Sequence, residues 1–123
     1  MYQIKEVTLQ HGKHTRRRLV IEFDESKYAI LSEFLMSDAP MLQREIMKEV
    51  KEVLECQSKA VKGSGNRTSW SINEEQAVIE DLFTYMDQNI PSYPTCIIET
   101  SKLYDIMFEW FQAQDNFKKI NGL

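Results

Sequence analysis

With 123 residues, 42% of them hydrophobic and 28% charged, the chain is long enough to bury its own core and too apolar to stay disordered. Its net charge of −4 and pI of about 5.2 disfavour a nucleic-acid binder, and two cysteines, Cys56 and Cys96, are too few for a disulfide framework. The N-terminus lacks an apolar core of signal-peptide length and there is no run of about 18 apolar residues, so a cytoplasmic protein with reduced thiols and no membrane span is expected.

Residues 2–10 and 17–23 read as two strands joined at His11-Gly12-Lys13-His14. Leu19, Ile21 and Phe23 alternate with Arg18, Val20 and Glu22, the period of a half-buried strand. In the first strand Tyr2 and Ile4 have one parity and Val7 and Leu9 the other, which predicts a bulge near Lys5-Glu6. Asp24 or Ser26 is placed to cap a first helix carrying Tyr28, Leu31, Phe34 and Leu35, and Pro40 predicts its stop near Ser37-Asp38. A second helix opens at Pro40 or Met41, with Leu42, Ile46, Val50, Val53 and Leu54 inward and a solvated mixed-charge outer surface.

Beyond Cys56 the pattern turns to strands. Gly63-Ser64-Gly65-Asn66 is the strongest turn signal, with a short strand over Lys59 to Lys62 before it. After it, Thr68, Trp70 and Ile72 alternate with Ser69 and Ser71. Asn73-Glu74-Glu75-Gln76 reads as a second turn and Ala77-Val78-Ile79 as a further strand, with a possible extension to Leu82-Phe83. Asp87 to Pro94 reads as a loop and Cys96-Ile97-Ile98 as a buried strand. Thr100 is the natural N-cap of a last helix with Leu103, Ile106, Met107, Trp110, Gln114 and Phe117 inward, ended by Asn121-Gly122. This order predicts a single α+β domain over residues 1–123: an antiparallel sheet with an N-terminal hairpin, two central helices, and a C-terminal helix packed on one face.

The charge is divided along the chain. From Glu74 to Asp115 nine carboxylates accompany one cation, Lys102, a net of −8, whereas the first twenty residues sum to +4. No catalytic constellation accompanies these charges. His11 and His14 lack the further ligands a metal site needs and the carboxylate and nucleophile a catalytic histidine needs. Gly63-Ser64-Gly65 lacks the Lys-Ser/Thr ending and the following helix of a phosphate loop. Cys96 sits in an apolar strand, where a thiol is inert packing. The acids show no calcium-loop spacing. Arg16-Arg17-Arg18 lies on a single strand, where protection of a sheet edge accounts for it. The expectation is therefore a protein that binds and does not catalyse, with no cofactor, metal or nucleic acid.

The last helix carries Tyr104, Phe108 and Phe111 at helical spacing, on a second face besides its inner stripe. With Asp105 and Glu109 beside them, an aromatic patch rimmed by acids is one reading, and a second face packed inside the fold is the other. The partner-binding candidates are Glu80, Asp81, Tyr104, Asp105, Phe108, Glu109 and Phe111, and a basic protein partner would complement them. The alternative use of the same rings is a symmetric interface in a homodimeric structural or accessory subunit.

Three segments stand out together: Gly65-Asn66-Arg67-Thr68-Ser69-Trp70-Ser71-Ile72, then Val78-Ile79-Glu80-Asp81-Leu82-Phe83, and Ile97-Ile98-Glu99-Thr100 leading into Leu103 and Trp110. With the earlier Glu33-Phe34-Leu35 and Asp38-Ala39-Pro40, they resemble small bacterial proteins, common in Firmicutes, encoded beside secreted polymorphic toxins. The resemblance spans roughly residues 30–111. It implies an immunity or antitoxin role, in which an acidic protein without chemistry of its own plugs the basic active site of a toxin domain. It assigns no toxin-contacting residue to this chain.

Overall fold

Two ten-residue strands open the computed structural model, which describes residues 1–86 and 91–121. β1 (Tyr2–His11) and β2 (His14–Phe23) pair antiparallel from Tyr2↔Phe23 to His11↔His14 in one unbroken register. Gly12 and Lys13 make the turn. Gly12 takes φ +63°, as the first residue of a two-residue II′ turn requires. The bulge expected near Lys5-Glu6 is therefore not formed, and the parity switch in β1 has another cause. Tyr2 and Ile4 share the helix-facing side of the hairpin with Leu19, Ile21 and Phe23, whereas Val7 and Leu9 lie on the other side with Val20. Only the base of the hairpin rests on the rest of the molecule, and every residue from Thr8 to Arg18 is exposed.

A helical stretch from Ser26 to Leu54 follows and changes pitch along its length. A 3-10 turn (Ser26–Tyr28) leads into α1 (Ala29–Glu33), a π-type turn (Phe34–Asp38), a second 3-10 turn (Ala39–Leu42) and α2 (Gln43–Leu54). Neither Asp24 nor Ser26 caps its start, which falls at Glu25 without a side-chain cap; the Asp24 carboxylate pairs with the N-terminal ammonium instead. Pro40 does not stop the helix, because Ala39 keeps φ −62° and ψ −38° and its N–H reaches back five residues to the Phe34 carbonyl. In that wide register the Leu35 carbonyl faces Pro40, which has no N–H to give. The Trp110 indole N–H supplies the missing donor at 2.7 Å. α2 buries Ile46, Val50 and Val53; Leu42, expected inward, lies in the 3-10 turn before it and is exposed. It ends in a Schellman motif, with the Gln57 N–H on Glu52 O at 2.8 Å and the Cys56 N–H on Val53 O at 3.1 Å; Cys56, at φ +59°, stands where glycine is usual.

Four strands then form an antiparallel meander in chain order: β3 (Val61–Ser64), β4 (Thr68–Ile72), β5 (Gln76–Asp81) and β6 (Cys96–Glu99). Alternation sends Thr68, Trp70, Ile72, Ala77, Ile79, Asp81, Cys96 and Ile98 into the core and Ser71, Val78, Glu80 and Ile97 to the open face. Ile97 is 62% exposed, so β6 is a half-buried edge strand and not a buried one. Leu82 and Phe83 belong to a 3-10 turn (Leu82–Tyr85) capped by the Asp81 carboxylate, and do not extend β5. Asp87 to Ile90 of the expected loop, and Gly122, lie outside the described residues.

α3 (Thr100–Ile120) closes the fold and buries Leu103, Met107, Trp110 and Phe111. Thr100 does not cap it by its side chain. Its hydroxyl donates to Asn73 O at 2.6 Å and its N–H to Glu75 O at 3.1 Å, which ties α3 to the β4–β5 turn. The class is α+β, with the hairpin as one sheet and the meander as another. Among the described residues no helix is long and apolar enough to cross a membrane.

Candidate functional site

The acids that dominate Glu74 to Asp115 do not form one surface. Period-two alternation in β5 turns Glu80 to the open face of the sheet, where the Tyr85 hydroxyl donates to it at 3.3 Å. The same alternation turns Asp81 inward, where it is 1% exposed. Arg67 holds Asp81 with two donors, Nε and one terminal nitrogen, each at 3.0 Å, and the N–H groups of Phe83 and Tyr93 add bonds of 3.0 and 2.9 Å. The Arg67 guanidinium also lies 4.1 Å from the Phe83 ring centre and 5.3 Å from that of Tyr93. Burial alone pushes the Asp81 carboxyl up; the Arg67 hydrogen bonds, those from Tyr93 and Phe83, and the Arg67 charge outweigh it and hold the group below its ordinary value. Asp81 thus organises one end of the sheet and presents no charge to a partner.

On α3, helical spacing separates the expected rings. Phe111 is 5% exposed and belongs to the core, Tyr104 is half-buried against it, and Phe108 stands 55% exposed. Asp105 and Glu109 are exposed within one turn of Phe108. Tyr2, at the base of the hairpin, donates its hydroxyl to Glu109 Oε2. Burial first, then the hydrogen bond and charge of Glu109, then the charge of Asp105, push the Tyr2 phenol up to about 12. Four of the seven expected residues are therefore brought together: Tyr104, Asp105, Phe108 and Glu109. Glu80 lies apart on the sheet's open face, away from the helices, and Asp81 and Phe111 serve the core. Tyr2 was not among the expected residues, since nothing in its local pattern signals a contact 107 positions away.

A second buried acid, Asp38, also escaped sequence reasoning. At 3% exposure it accepts from the N–H groups of Asn66, Arg67 and Thr68 at 2.8, 3.2 and 2.8 Å and from the Thr68 hydroxyl at 2.6 Å. The β3–β4 turn is thus wrapped around a carboxylate from the helical stretch. Gly65 permits the approach: a Cβ there would overlap the Asp38 carboxyl group.

Elsewhere, the exposed Cys56 thiol donates to Glu74 at 2.9 Å, and this bond, the Glu74 charge and slight burial raise it, which makes the thiolate scarcer. Burial pushes the Cys96 thiol up to about 11. His11 and His14 face one another as an exposed cross-strand pair. Among the described residues no cluster of three or more His, Cys, Asp or Glu side chains is able to hold a metal ion. Comparison of the chain with family models, curated proteins and solved structures finds no match.

Proposed function

We propose that this chain is a non-enzymatic binding protein whose α3 outer face seats a basic protein partner. The observation that carries the reading is Phe108: a phenylalanine 55% exposed, flanked by two exposed carboxylates on α3. An aromatic anchor ringed by charge is the usual anatomy of an energetically important interface patch. Asp105 and Glu109 steer the encounter, and Phe108 supplies the buried area. The immunity role implied by the sequence resemblance fits the same face, with a basic toxin domain as the partner and a cytoplasmic place of action.

The test is capture of a basic protein from the native host by the wild-type chain, compared with Phe108→Ala and Asp105→Lys. Both variants should lose most of the captured partner, and wild-type capture should fall as salt rises. Capture by both variants at the wild-type level, or capture insensitive to salt, contradicts the reading. The same ring also suits a symmetric homodimer. Sedimentation that shows a tight dimer, abolished by Phe108→Asp with the fold retained, decides for that alternative.

A further inference from the structure

The exposed half of the hairpin and the C-terminal half of α3 enclose an open groove of about 670 Å³. One wall is the free edge of β2. Among the described residues β2 pairs only with β1, and the hairpin register decides which backbone groups remain open. His14, Arg16 and Arg18 point their N–H and C=O groups at β1, because His11↔His14 closes a two-residue turn. Thr15, Arg17, Leu19 and Ile21 therefore point theirs outward. The Ile21 carbonyl confirms that direction by accepting from the Ser32 hydroxyl at 2.6 Å. Among the described residues no backbone hydrogen bond reaches the same edge at Thr15, Arg17 or Leu19.

The side chains at this edge are sorted by face. Leu19 shares the helix-facing side, and with Met36 and Phe117, all three half-buried, it lines the apolar floor of the groove. Arg16 and Arg18 stand on the other side, exposed, and enter no ion pair among the described residues. Arg17 is already engaged with Glu6 at 2.5 Å, and Lys118 adds a cation from α3.

From this arrangement we infer that the groove is a docking site for an extended acidic peptide segment of a protein partner, added as a third strand along the free edge of β2. An added strand alternates its side chains between the two faces. Carboxylates at every second position meet Arg16 and Arg18, and apolar residues between them meet Leu19, Met36 and Phe117. The stretch from Thr15 to Leu19 is about 13 Å long at roughly 3.3 Å per residue, room for a peptide of about five to seven residues. The arginines that deter pairing with an apolar or basic strand select an acidic one. This surface is separate from the Phe108 face and opposite to it in charge.

The experiment is fluorescence anisotropy with a labelled peptide of about seven residues alternating Glu with Leu. The wild-type chain should bind it, and binding should weaken as salt rises. Arg16→Glu/Arg18→Glu, changes at two exposed positions, should weaken binding at least about tenfold with an unchanged circular dichroism melt. A second arm leaves the protein untouched. N-methylation of the peptide at one alternate set of residues should abolish binding while the other set is tolerated, because only one set turns its N–H toward β2; antiparallel addition makes the Leu positions the sensitive ones. The inference is overturned if the acidic peptide does not bind, if a peptide with Lys in place of Glu or an oligothymidylate binds as well, or if both N-methylated peptides behave alike. Edge protection alone predicts the first of these results.

Discussion

Replacement of Asp38 by alanine removes one carboxylate and orphans four donors. Two of them, the Thr68 N–H and hydroxyl, are buried; the Asn66 and Arg67 N–H groups are partly buried and can turn to water. A buried donor left without a partner costs about 1–3 kcal/mol, and hydrogen bonds to a charged group lie at the upper end of their range. Two such losses plus a smaller term for the outer pair give a destabilisation of about 3–5 kcal/mol. Against a total stability of about 5–15 kcal/mol this is a large share. Equilibrium urea unfolding reads it directly: with a slope of roughly 2 kcal/mol/M, the midpoint falls by about 2 M at unchanged slope. A loss below about 1 kcal/mol refutes the claim that the carboxylate organises the β3–β4 turn. Gly65→Ala extends the test, since its Cβ would overlap the carboxyl group. In the Asp38→Ala background part of that clash is relieved, so the two changes together should cost at least about 1 kcal/mol less than their sum; strict additivity contradicts the geometry.

Other outcomes follow from the same physical reasoning. Trp110→Phe leaves the Leu35 carbonyl facing Pro40 without a donor and should cost about 2–4 kcal/mol in thermal or urea unfolding. Cys56→Gly places glycine at a φ of +59° in the Schellman motif and should stabilise the protein by about 0.5–1 kcal/mol, measured as a rise in Tm. The depressed Asp81 carboxyl contributes stability that is complete above its unfolded value near 3.9 and is lost as pH falls through its lower folded value. Asp81→Asn should therefore flatten the acid limb of the stability curve by at most about 1.4 kcal/mol per pH unit. The Tyr2 phenol is shifted the other way, so its contribution is complete below pH of about 10 and is lost as pH rises toward 12. Ultraviolet titration should show a late-ionising step that is lost in Tyr2→Phe and moves earlier in Glu109→Gln.

Sequence periodicity was sufficient for the element order, because Leu19 to Phe23, Thr68 to Ile72 and the α3 stripe each repeat at the period of one structure type. It failed where two structures share one pattern. The alternation in β1 changes parity at an unbroken strand because the strand leaves the body of the protein, and local spacing does not encode what lies alongside. Pro40 reads as a stop, yet a tryptophan seventy residues later supplies the donor that proline lacks. In the candidate site, spacing on α3 puts Phe108 within one turn of Asp105 and Glu109, all three exposed. Summed charge misled for the rest, since it counts Asp81 and Glu80 alike although alternation sends one to an arginine in the interior and the other to the open face. Asp38 looked like a helix terminus, and only the turn that folds around it shows why it is there.

The most direct test of binding through α3 is amide hydrogen exchange of the wild-type chain, free and bound to its captured partner. The account predicts slowed exchange along α3 around Asp105, Phe108 and Glu109 and at the contacting base of β1, with the open sheet face at Glu80 and Ile97 unchanged. Protection confined to that sheet face, with α3 unaltered, contradicts it.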